Sequence, residues 1–317
     1  MELISNLLNG TLVFSTALIF AALGGLISER SGVINIGLEG FMISGAFFSA
    51  VAAYYAESAG FNTLSPWIGL IGAFVFTIIF SSIHALASIK FKANQVVSGV
   101  VINILAASST FFLVKMIFKG SAETPILVNV FHKITIPYLS DIPFIGKVFF
   151  NAYPTTYIAI VLVVLIYFFL FKTSSGLRLR AVGEHPSAAD TVGIKVNRTR
   201  YIAVILSGSI AALGGATIVL TSNSNFAFNT ISGQGYIALA AVIFGKWNPV
   251  GAMLAAMFFG LAQAVKDQLQ IFEFAASIPN EVFYMLPYLL TLFVLIGAVG
   301  KARAPKALGE PYEVGKR

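Results

Sequence analysis

The sequence predicts an all-α fold, a polytopic bundle of transmembrane helices, and three observations lead to this class. Hydrophobic residues make up 57% of the 317 residues and charged residues only 10%, whereas a soluble domain carries roughly 25% charged residues. About nine stretches approach the roughly 17–25 mostly apolar residues that a helix needs to cross a bilayer. Long strands of alternating polarity are absent from the sequence. We therefore expect lipid to surround most of the chain.

The charge balance and the lack of cysteine exclude several classes of function. The formal net charge is +7 and there is no cysteine, which excludes a disulfide framework, a thiol nucleophile and a Cys-ligated metal site. A chain with so few charges is not expected to bind nucleic acid, and the basic excess is expected to set its orientation in the membrane. Because Met1 and Glu2 lack the basic start of a signal peptide, we expect the first apolar stretch to be a retained span.

Nine candidate spans follow one another in a single domain that covers residues 1–317. The seventh is too short to cross as a straight helix, and the stretch GKWNP (245–249) separates it from the eighth. We expect a hairpin or a partly re-entrant element at this point, and a total of eight to ten spans (on the order of nine). The candidate spans are 11–28, 33–56, 66–89, 96–118, 155–171, 201–221, 233–245, 249–265 and 282–299.

The distribution of Lys and Arg predicts the orientation, because cytoplasmic loops are enriched in these residues. Six of them lie in segment 172–200 and five in the tail 301–317, so both are predicted to be cytoplasmic. The connections 57–65 and 222–232 contain neither and are predicted to lie outside. Nine spans then put the N-terminus outside, the C-terminus in the cytoplasm, and the proline-containing connection 119–154 in an extracellular loop.

The cytoplasmic segment contains a short helix with clear start and stop signals. Pro186 suits the first helical position, where its missing N–H costs nothing. Gly193 suits the position just past the end, where φ is often positive. A helix this short is marginal in water and needs a docking surface. Ala188 and Ala189 give it a slim face that suits a groove on another protein; the alternative is a helix on the membrane surface, for which it lacks a large apolar stripe.

This segment resembles the EAA loop of ABC-importer permeases, in which Ala188-Ala189 and Gly193 match the core of the motif. Its surroundings, GLRLRAVGEHPSAADTVGI, resemble the branch of these permeases for simple sugars and nucleosides. The stretches SGVINIGLEGFMISGA, SGSIAALGGA and GYIALAAVIFGKWNPVGAMLAAMFFG also resemble this branch. The resemblance covers roughly residues 15–300 and is strongest to bacterial nucleoside permeases. Ser187 and Ala203 depart from the older loop motif, which has glutamate and isoleucine there, but this branch tolerates both differences.

The resemblance implies the permease subunit of an ATP-driven ABC importer in a bacterial cell membrane. The implied cargo is a nucleoside or, as the alternative, a simple sugar such as ribose. The implied partners are a cytoplasmic ATPase that holds ATP and Mg²⁺, a second and longer permease subunit, and an extracellular substrate-binding lipoprotein or periplasmic protein. The residues implied to couple to the ATPase are Gly183, Glu184, Pro186, Ala188, Ala189 and Gly193.

Four polar residues at membrane depth are candidates for the translocation pathway. An ionisable or amide group at this depth is costly, and normally faces the bundle interior or a water-filled path. Irregular backbone, which the glycines on either side of Glu39 favour, is tolerated there only inside protein or beside a cavity. The alternative is that these groups only satisfy neighbouring helices. The four are Asn35, Glu39, Asn103 and Gln234.

The sequence contains no motif for chemistry of its own. The phosphate-binding pattern G-x-x-x-x-G-K-[ST] is absent, as are H-E-x-x-H and G-x-S-x-G. We therefore expect no enzyme activity, no cofactor and no metal on this chain, with energy coming from a partner or an ion gradient. An ion-coupled secondary transporter remains an alternative, with broken helices at 33–40 and 233–249 forming a midplane site. A passive channel is disfavoured because no repeated filter or charge ring occurs.

Overall fold

The computed structural model describes residues 2–135, 150–270 and 303–313, and also positions 137, 146, 148, 282, 285 and 289. These ranges are mostly helical, with two π-helices and one small antiparallel sheet. The elements are α1 (Glu2–Arg30), α2 (Leu38–Ser58), α3 (Ser65–Phe76), α4 (Ile78–Ala85), a π-helix (Leu86–Lys90), α5 (Gln95–Ile117), β1 (Ile134–Thr135), β2 (Asn151–Ala152), α6 (Pro154–Lys172), α7 (Ser174–Glu184), α8 (Pro186–Thr191), α9 (Val196–Ile218), a second π-helix (Val219–Asn223), α10 (Gln234–Phe244) and α11 (Pro249–Leu269).

Local capping explains where several of these helices begin. The side-chain oxygen of Asn94 accepts hydrogen bonds from the backbone N–H groups of Val96 and Val97 and so starts α5. Asn248 does the same for Val250 at the start of α11. Each bond satisfies a donor that has no partner within the helix. Proline also occupies the first turn of α3, α6, α8 and α11, where its missing N–H is tolerated.

Six helical runs are long and apolar enough to cross a membrane. They confirm six of the predicted spans, which lie near 11–28, 66–89, 96–118, 155–171, 201–221 and 249–265. Most reach a few residues beyond the predicted ends. The six runs are Ile4–Arg30, Ser65–Lys90, Gln95–Ile117, Pro154–Lys172, Val196–Asn223 and Pro249–Leu269.

The other three predicted spans have different outcomes. The second, 33–56, is a buried helix that begins only at Leu38, because residues 31–37 form a non-helical connection. The seventh is α10, whose 11 residues rise about 16 Å and cannot cross a hydrocarbon core of about 30 Å. The ninth, 282–299, lies outside the described residues except for the isolated positions. The total of nine spans stays a prediction.

Helix α2 lies at the centre of the bundle and packs closely against α9. A Cβ atom at Gly45 would collide with the backbone of Ala212, and one at Gly215 would collide with the carbonyl oxygen of Met42. Small residues let two membrane helices approach to backbone contact, where van der Waals packing replaces the hydrophobic effect as the attraction. Helix α3 packs against both α2 and α9, α1 packs against α9, and α10 contacts α2, while α11 packs against α1 and α10.

The two ends of the bundle contain different connecting segments. At one end, α7, α8 and residues 303–313 pack together. At the other end of α9, the loop after α5 pairs with the loop after the second π-helix: Thr124 N–H donates to the oxygen of Phe226 at 2.9 Å, and Leu127 N–H to that of Ser224 at 2.7 Å. The segments predicted to be cytoplasmic therefore share one end, and those predicted to be external share the other.

The loop after α5 also contains the one departure from an all-α fold in the described residues. Ile134 pairs with Ala152 and Thr135 with Asn151 in an antiparallel ladder of two residues per strand. A sheet this small contributes little on its own. It closes the base of the predicted extracellular loop, where Asn9 of α1 donates from its side chain to the backbone oxygen of Asn151 at 2.8 Å.

We expect an impermeant thiol reagent to distinguish the two ends, because the chain has no cysteine of its own. Ser175 and Asn62 are both exposed and lie at opposite ends. In intact cells, the Asn62→Cys variant should react and the Ser175→Cys variant should not. Both should react equally after permeabilisation. Reaction of the Ser175→Cys variant in intact cells would reverse the orientation predicted from Lys and Arg.

Candidate functional site

The predicted coupling helix is present as α8, and it begins and ends near the residues that the sequence indicates. Pro186 is its first residue, and His185 before it has non-helical backbone angles. The helix ends at Thr191, one residue earlier than predicted, and Gly193 follows with φ of 82°. Only glycine adopts this left-handed conformation without strain. A Cβ at Gly193 would meet nothing within 4 Å, so its backbone angle rather than its packing requires glycine.

The two alanines of α8 face opposite sides. Ala188 is exposed, whereas Ala189 is only 4% exposed and packs against Val182, Val196 and Tyr312. The expectation of one slim face made by both alanines is therefore wrong for Ala189. Ala189 anchors α8 to the rest of the protein, and Ala188 is the alanine that a partner can reach.

Gly183 and Glu184 join α8 to the end of α1 and to the tail. Gly183 is buried, and a Cβ there would collide with the carbonyl oxygen of Arg30. Its own carbonyl accepts a hydrogen bond from Ala307 N–H at 2.9 Å. The Glu184 carboxylate accepts a weaker one from Lys306 N–H at 3.4 Å. Gly183 is buried behind α8, whereas Glu184 is partly exposed and borders the same surface depression as Ser187 and Ala188.

The tail 303–313 is the part of this site that sequence reasoning missed. Arg200, only 2% exposed, donates from Nη1 to the carbonyl of Glu310 at 2.9 Å and from Nε to that of Ser31 at 3.2 Å. Gly309 N–H donates to the carbonyl of Gly32 at 3.1 Å. The sequence shows Arg200 only as one basic residue in a basic loop, and nothing in it indicates a buried side chain that joins three segments.

Tyr312 fastens the tail directly to the coupling helix. Its ring is 8% exposed and belongs to the apolar cluster around Ala189. Burial, together with a hydrogen bond to Asp190, raises the pKa of the Tyr312 hydroxyl. The hydroxyl therefore stays protonated and able to donate to Asp190 at neutral pH. The tail, α8 and the connection between α1 and α2 thus form one bonded unit.

Glu39 caps the broken helix α10 at membrane depth. Its two carboxylate oxygens each accept one backbone hydrogen bond of 2.6 Å, from Gly233 and from Gly235. A helix N-terminus has N–H groups without internal partners and carries positive partial charge, so a carboxylate is a favourable cap. A Cβ at Gly235 would collide with the backbone of Glu39, so the two chains are in direct contact.

Asn35 and Asn103 join helices and are not brought together with each other. Asn35 is fully buried, and its amide nitrogen donates to the hydroxyl of Ser207 at 2.7 Å. Asn103 accepts from Gly40 N–H at 2.8 Å and donates to the hydroxyl of Tyr236 at 3.0 Å. These bonds connect the start of α2 with α9, α5 and α10. Their placement in a translocation pathway stays a prediction.

Gln234 is the first residue of α10 and differs from the other three candidates. It lines a cavity of about 180 Å³ between α1, α9, α10 and α11. The structure thus separates the four candidates into three that hold helices together and one that faces open space.

A buried acid near the other end of α10 was not among the sequence candidates. Glu29 is 3% exposed, and its carboxylate accepts a hydrogen bond from the indole of Trp247 at 2.6 Å. The next residue, Arg30, donates from Nε to the carbonyl oxygen of Trp247 at 2.8 Å. The sequence predicts Glu29 and Arg30 in a loop, and the only hint of this contact in the sequence is that Trp247 lies in the short break before α11. The contact between Trp247 and these two residues holds the C-terminal end of α10 against α1.

The described residues include no group of three or more His, Asp or Glu that could hold a metal ion. Six helical runs long enough to cross a membrane, with a short exposed helix bonded at one end and a broken, capped helix inside, define a multi-pass membrane protein.

The chain belongs to the family described as "Branched-chain amino acid transport system / permease component", whose model matches residues 6–295. Among its relatives, the guanosine ABC transporter permease NupQ of Bacillus subtilis is 49% identical, over 100% of this chain and 99% of that protein. The nucleoside ABC transporter permease NupC of Lactococcus lactis is 42% identical, over 95% and 94%. TsgC13 of Haloferax volcanii, named as a glucose ABC transporter permease, is 33% identical, over 98% of each chain. The resemblance predicted from the sequence motifs is confirmed.

We expect Glu39→Ala to loosen α10, because two backbone N–H groups lose their acceptor. Loss of a helix cap costs about 0.5–2 kcal/mol, so the Glu39→Ala protein should melt several degrees lower in detergent. Glu39→Gln keeps one acceptor oxygen and should retain substantial uptake with an unchanged dependence on external pH. Uptake and thermal unfolding of both variants check this. Collapse of uptake in Glu39→Gln with loss of the pH dependence would instead show that Glu39 transfers a proton.

The opposite faces of α8 predict opposite effects of tryptophan. Ala188→Trp should leave the protein at normal levels in the membrane but abolish ATPase association, because the ring blocks the exposed face. Ala189→Trp should lower the protein level, because overpacking a buried position costs about 1–3 kcal/mol. Pull-down of the ATPase and quantification in membranes measure the two effects, with Ala188→Ser as the control. Normal association and uptake with Ala188→Trp would contradict docking at this face.

Proposed function

We propose that this protein is the membrane-spanning subunit of an ATP-driven ABC importer for nucleosides. The observation that carries the proposal is the exposed Ala188 face of α8, which the rest of the structure holds in place from behind. Relatives named as guanosine and nucleoside permeases match essentially the whole chain, which supports both the transporter class and the cargo.

The bonded unit around α8 supports a route for coupling. A partner ATPase that takes the Ala188 face into a groove would move α8, and Tyr312 would move the tail with it. The tail is bonded to Gly32, so the displacement would reach the connection between α1 and α2. Glu39 stands at the start of α2 and holds α10. Closure of the ATPase on ATP would thereby shift α2 and α10 and alternate the access of the cargo site.

The proposed assembly follows from the two ends of the bundle. The end with α8 and the tail would face the cytoplasm and bind the ATPase, which supplies ATP, Mg²⁺ and hydrolysis. The loops around Thr124 and Phe226 would face outward and bind a substrate-binding lipoprotein or periplasmic protein. A second, longer permease would complete the membrane part, in a bacterial cell membrane. This chain would contribute no catalysis of its own.

A simple sugar is the second candidate cargo. The relative named for glucose supports it, and the cavity beside Gln234 is lined by hydroxyl and amide groups that suit a sugar as well. An ion-coupled transporter receives less support, because both oxygens of Glu39 are occupied by short backbone hydrogen bonds. Protonation of either oxygen would remove one of the two bonds that cap α10.

The complete complex in proteoliposomes should import guanosine only when ATP is hydrolysed, and import should continue after an ionophore collapses the ion gradients. Competition by unlabelled nucleosides should be strong, and competition by excess ribose or glucose should be weak. Radiolabel uptake, with a hydrolysis-deficient ATPase as the control, measures this. Accumulation of guanosine by this chain alone from a proton gradient would refute the ABC assignment, and stronger competition by a sugar would refute the cargo.

A further inference from the structure

The cavity next to Gln234 lies in the half of the bundle that is away from α8. Phe14 lines it from the first half of α1, and Thr221 lines it from the second π-helix, which follows α9. Gln263 and Phe259 line it from the second half of α11. Helix α11 starts at Pro249, two residues after Trp247, which contacts the end of α1 next to the tail, so all of these positions lie toward the predicted outer surface.

The cavity is too large to be a packing defect filled by one water molecule. Its volume is about 180 Å³, whereas a single buried water needs about 10–15 Å³. Asn223, at the last position of the second π-helix, is exposed, so the cavity reaches the segment that pairs with the outer loop. A small solute can therefore approach it from the side on which the substrate-binding protein is proposed to dock.

Its polar lining consists of uncharged groups. The described residues that face it include no Asp, Glu, Lys or Arg. The hydroxyls of Thr217 and Thr221 donate to backbone carbonyls one turn back, at 2.8 and 2.6 Å, and so are already satisfied. The side-chain amides of Gln234 and Gln263 make no hydrogen bond to any described residue.

Gln234 and Gln263 are both partly exposed, so their amides are accessible from the cavity. Each carboxamide offers an acceptor oxygen and two donor hydrogens, the pattern that pairs with the edge of a nucleobase. The absence of charge disfavours ions and charged metabolites as the bound solute.

Two phenyl rings complete the lining, and only one of them has a free face. Phe259 is 4% exposed and packs against Phe244 and Phe258, with ring centroids 5.9 and 5.8 Å away, so it closes the cavity wall. Phe14 faces the cavity from α1 and is partly exposed. Flat aromatic faces favour stacking with another ring. A sugar without a base would gain less from Phe14.

We infer that this cavity is a nucleobase-recognition site, with Gln234 and Gln263 as the hydrogen-bonding residues and Phe14 as the stacking residue. The inference rests on the proposed function and identifies the nucleobase as the part of the cargo that this chain recognises. It also gives the start of α10 a role. Glu39 fixes that helix end, so Gln234 is held at the cavity and moves whenever α2 moves.

The test uses the complete complex in proteoliposomes with guanosine as the probe. Gln263→Ala and Gln234→Ala should each lower guanosine uptake about three- to tenfold, the effect of losing a hydrogen bond of roughly 0.5–1.5 kcal/mol. Gln268→Ala is the matched control, since Gln268 lies on the same helix but does not line the cavity; uptake by this variant should stay within about twofold, as for a substitution away from the site. Membrane level and ATPase co-purification should be normal for all three variants.

A second readout does not depend on uptake. In the otherwise cysteine-free chain, the Gln263→Cys variant should react with a small maleimide, and guanosine should slow that reaction whereas ribose should not. If guanosine gives no protection and Gln263→Ala transports like Gln268→Ala, the cavity is not a cargo site. Equal protection by ribose would overturn recognition of the base. A wild-type complex that fails to import guanosine with ATP would instead overturn the proposed function, before any variant is compared.

Discussion

The bond between the Glu39 carboxylate and the start of α10 is the constraint on which the interior of this protein depends. A chain inside a bilayer must satisfy its backbone polar groups within the protein. Helix α10 begins inside the bundle, and its first N–H groups have no preceding turn to bond with. Both Glu39 oxygens meet this need. The broken helix, the cavity beside Gln234 and the placement of α10 between α1 and α2 follow from that arrangement.

The second organising feature is the buried Arg200 with the tail that it holds. A buried guanidinium is costly unless its donors are satisfied; Nε and Nη1 donate to the carbonyls of Ser31 and Glu310, and Nη2 has no partner among the described residues. This ties the tail to the end of α1, while Tyr312 ties the same tail to α8. A docking helix of six residues could not transmit force alone. The tail bonds it to the end of α1, and in the proposed mechanism this bond would carry its movement to the central helices.

Helix α8 has one exposed face and one buried face, and the two have different roles. Ala188 is available to a partner, and Ala189 is not. Pro186 and Gly193 delimit the helix, and Gly183 lets the preceding helix α7 approach the backbone at the end of α1. The same logic appears around α10, where one face of the helix start is bonded to Glu39 and Gln234 faces the cavity. In both helices, the face that is bonded to the rest of the protein determines the position of the face that is exposed.

Much of the fold and part of the site could be predicted from the sequence, because lipid imposes simple rules on it. The lengths of the apolar stretches predicted six confirmed spans and the short element at α10. Pro186 and Gly193, as helix-start and helix-end residues, predicted the bounds of α8 to within one residue. Motif resemblance identified the family. Tertiary contacts decided the rest: that Ala189 is buried, that Arg200 and Tyr312 join the tail to α8, that Glu29 meets Trp247, and that Gln234 and Gln263 share a cavity. These pairs are separated by tens to hundreds of residues, and hydropathy and punctuation are local signals, so only the packing of the helices brings them together.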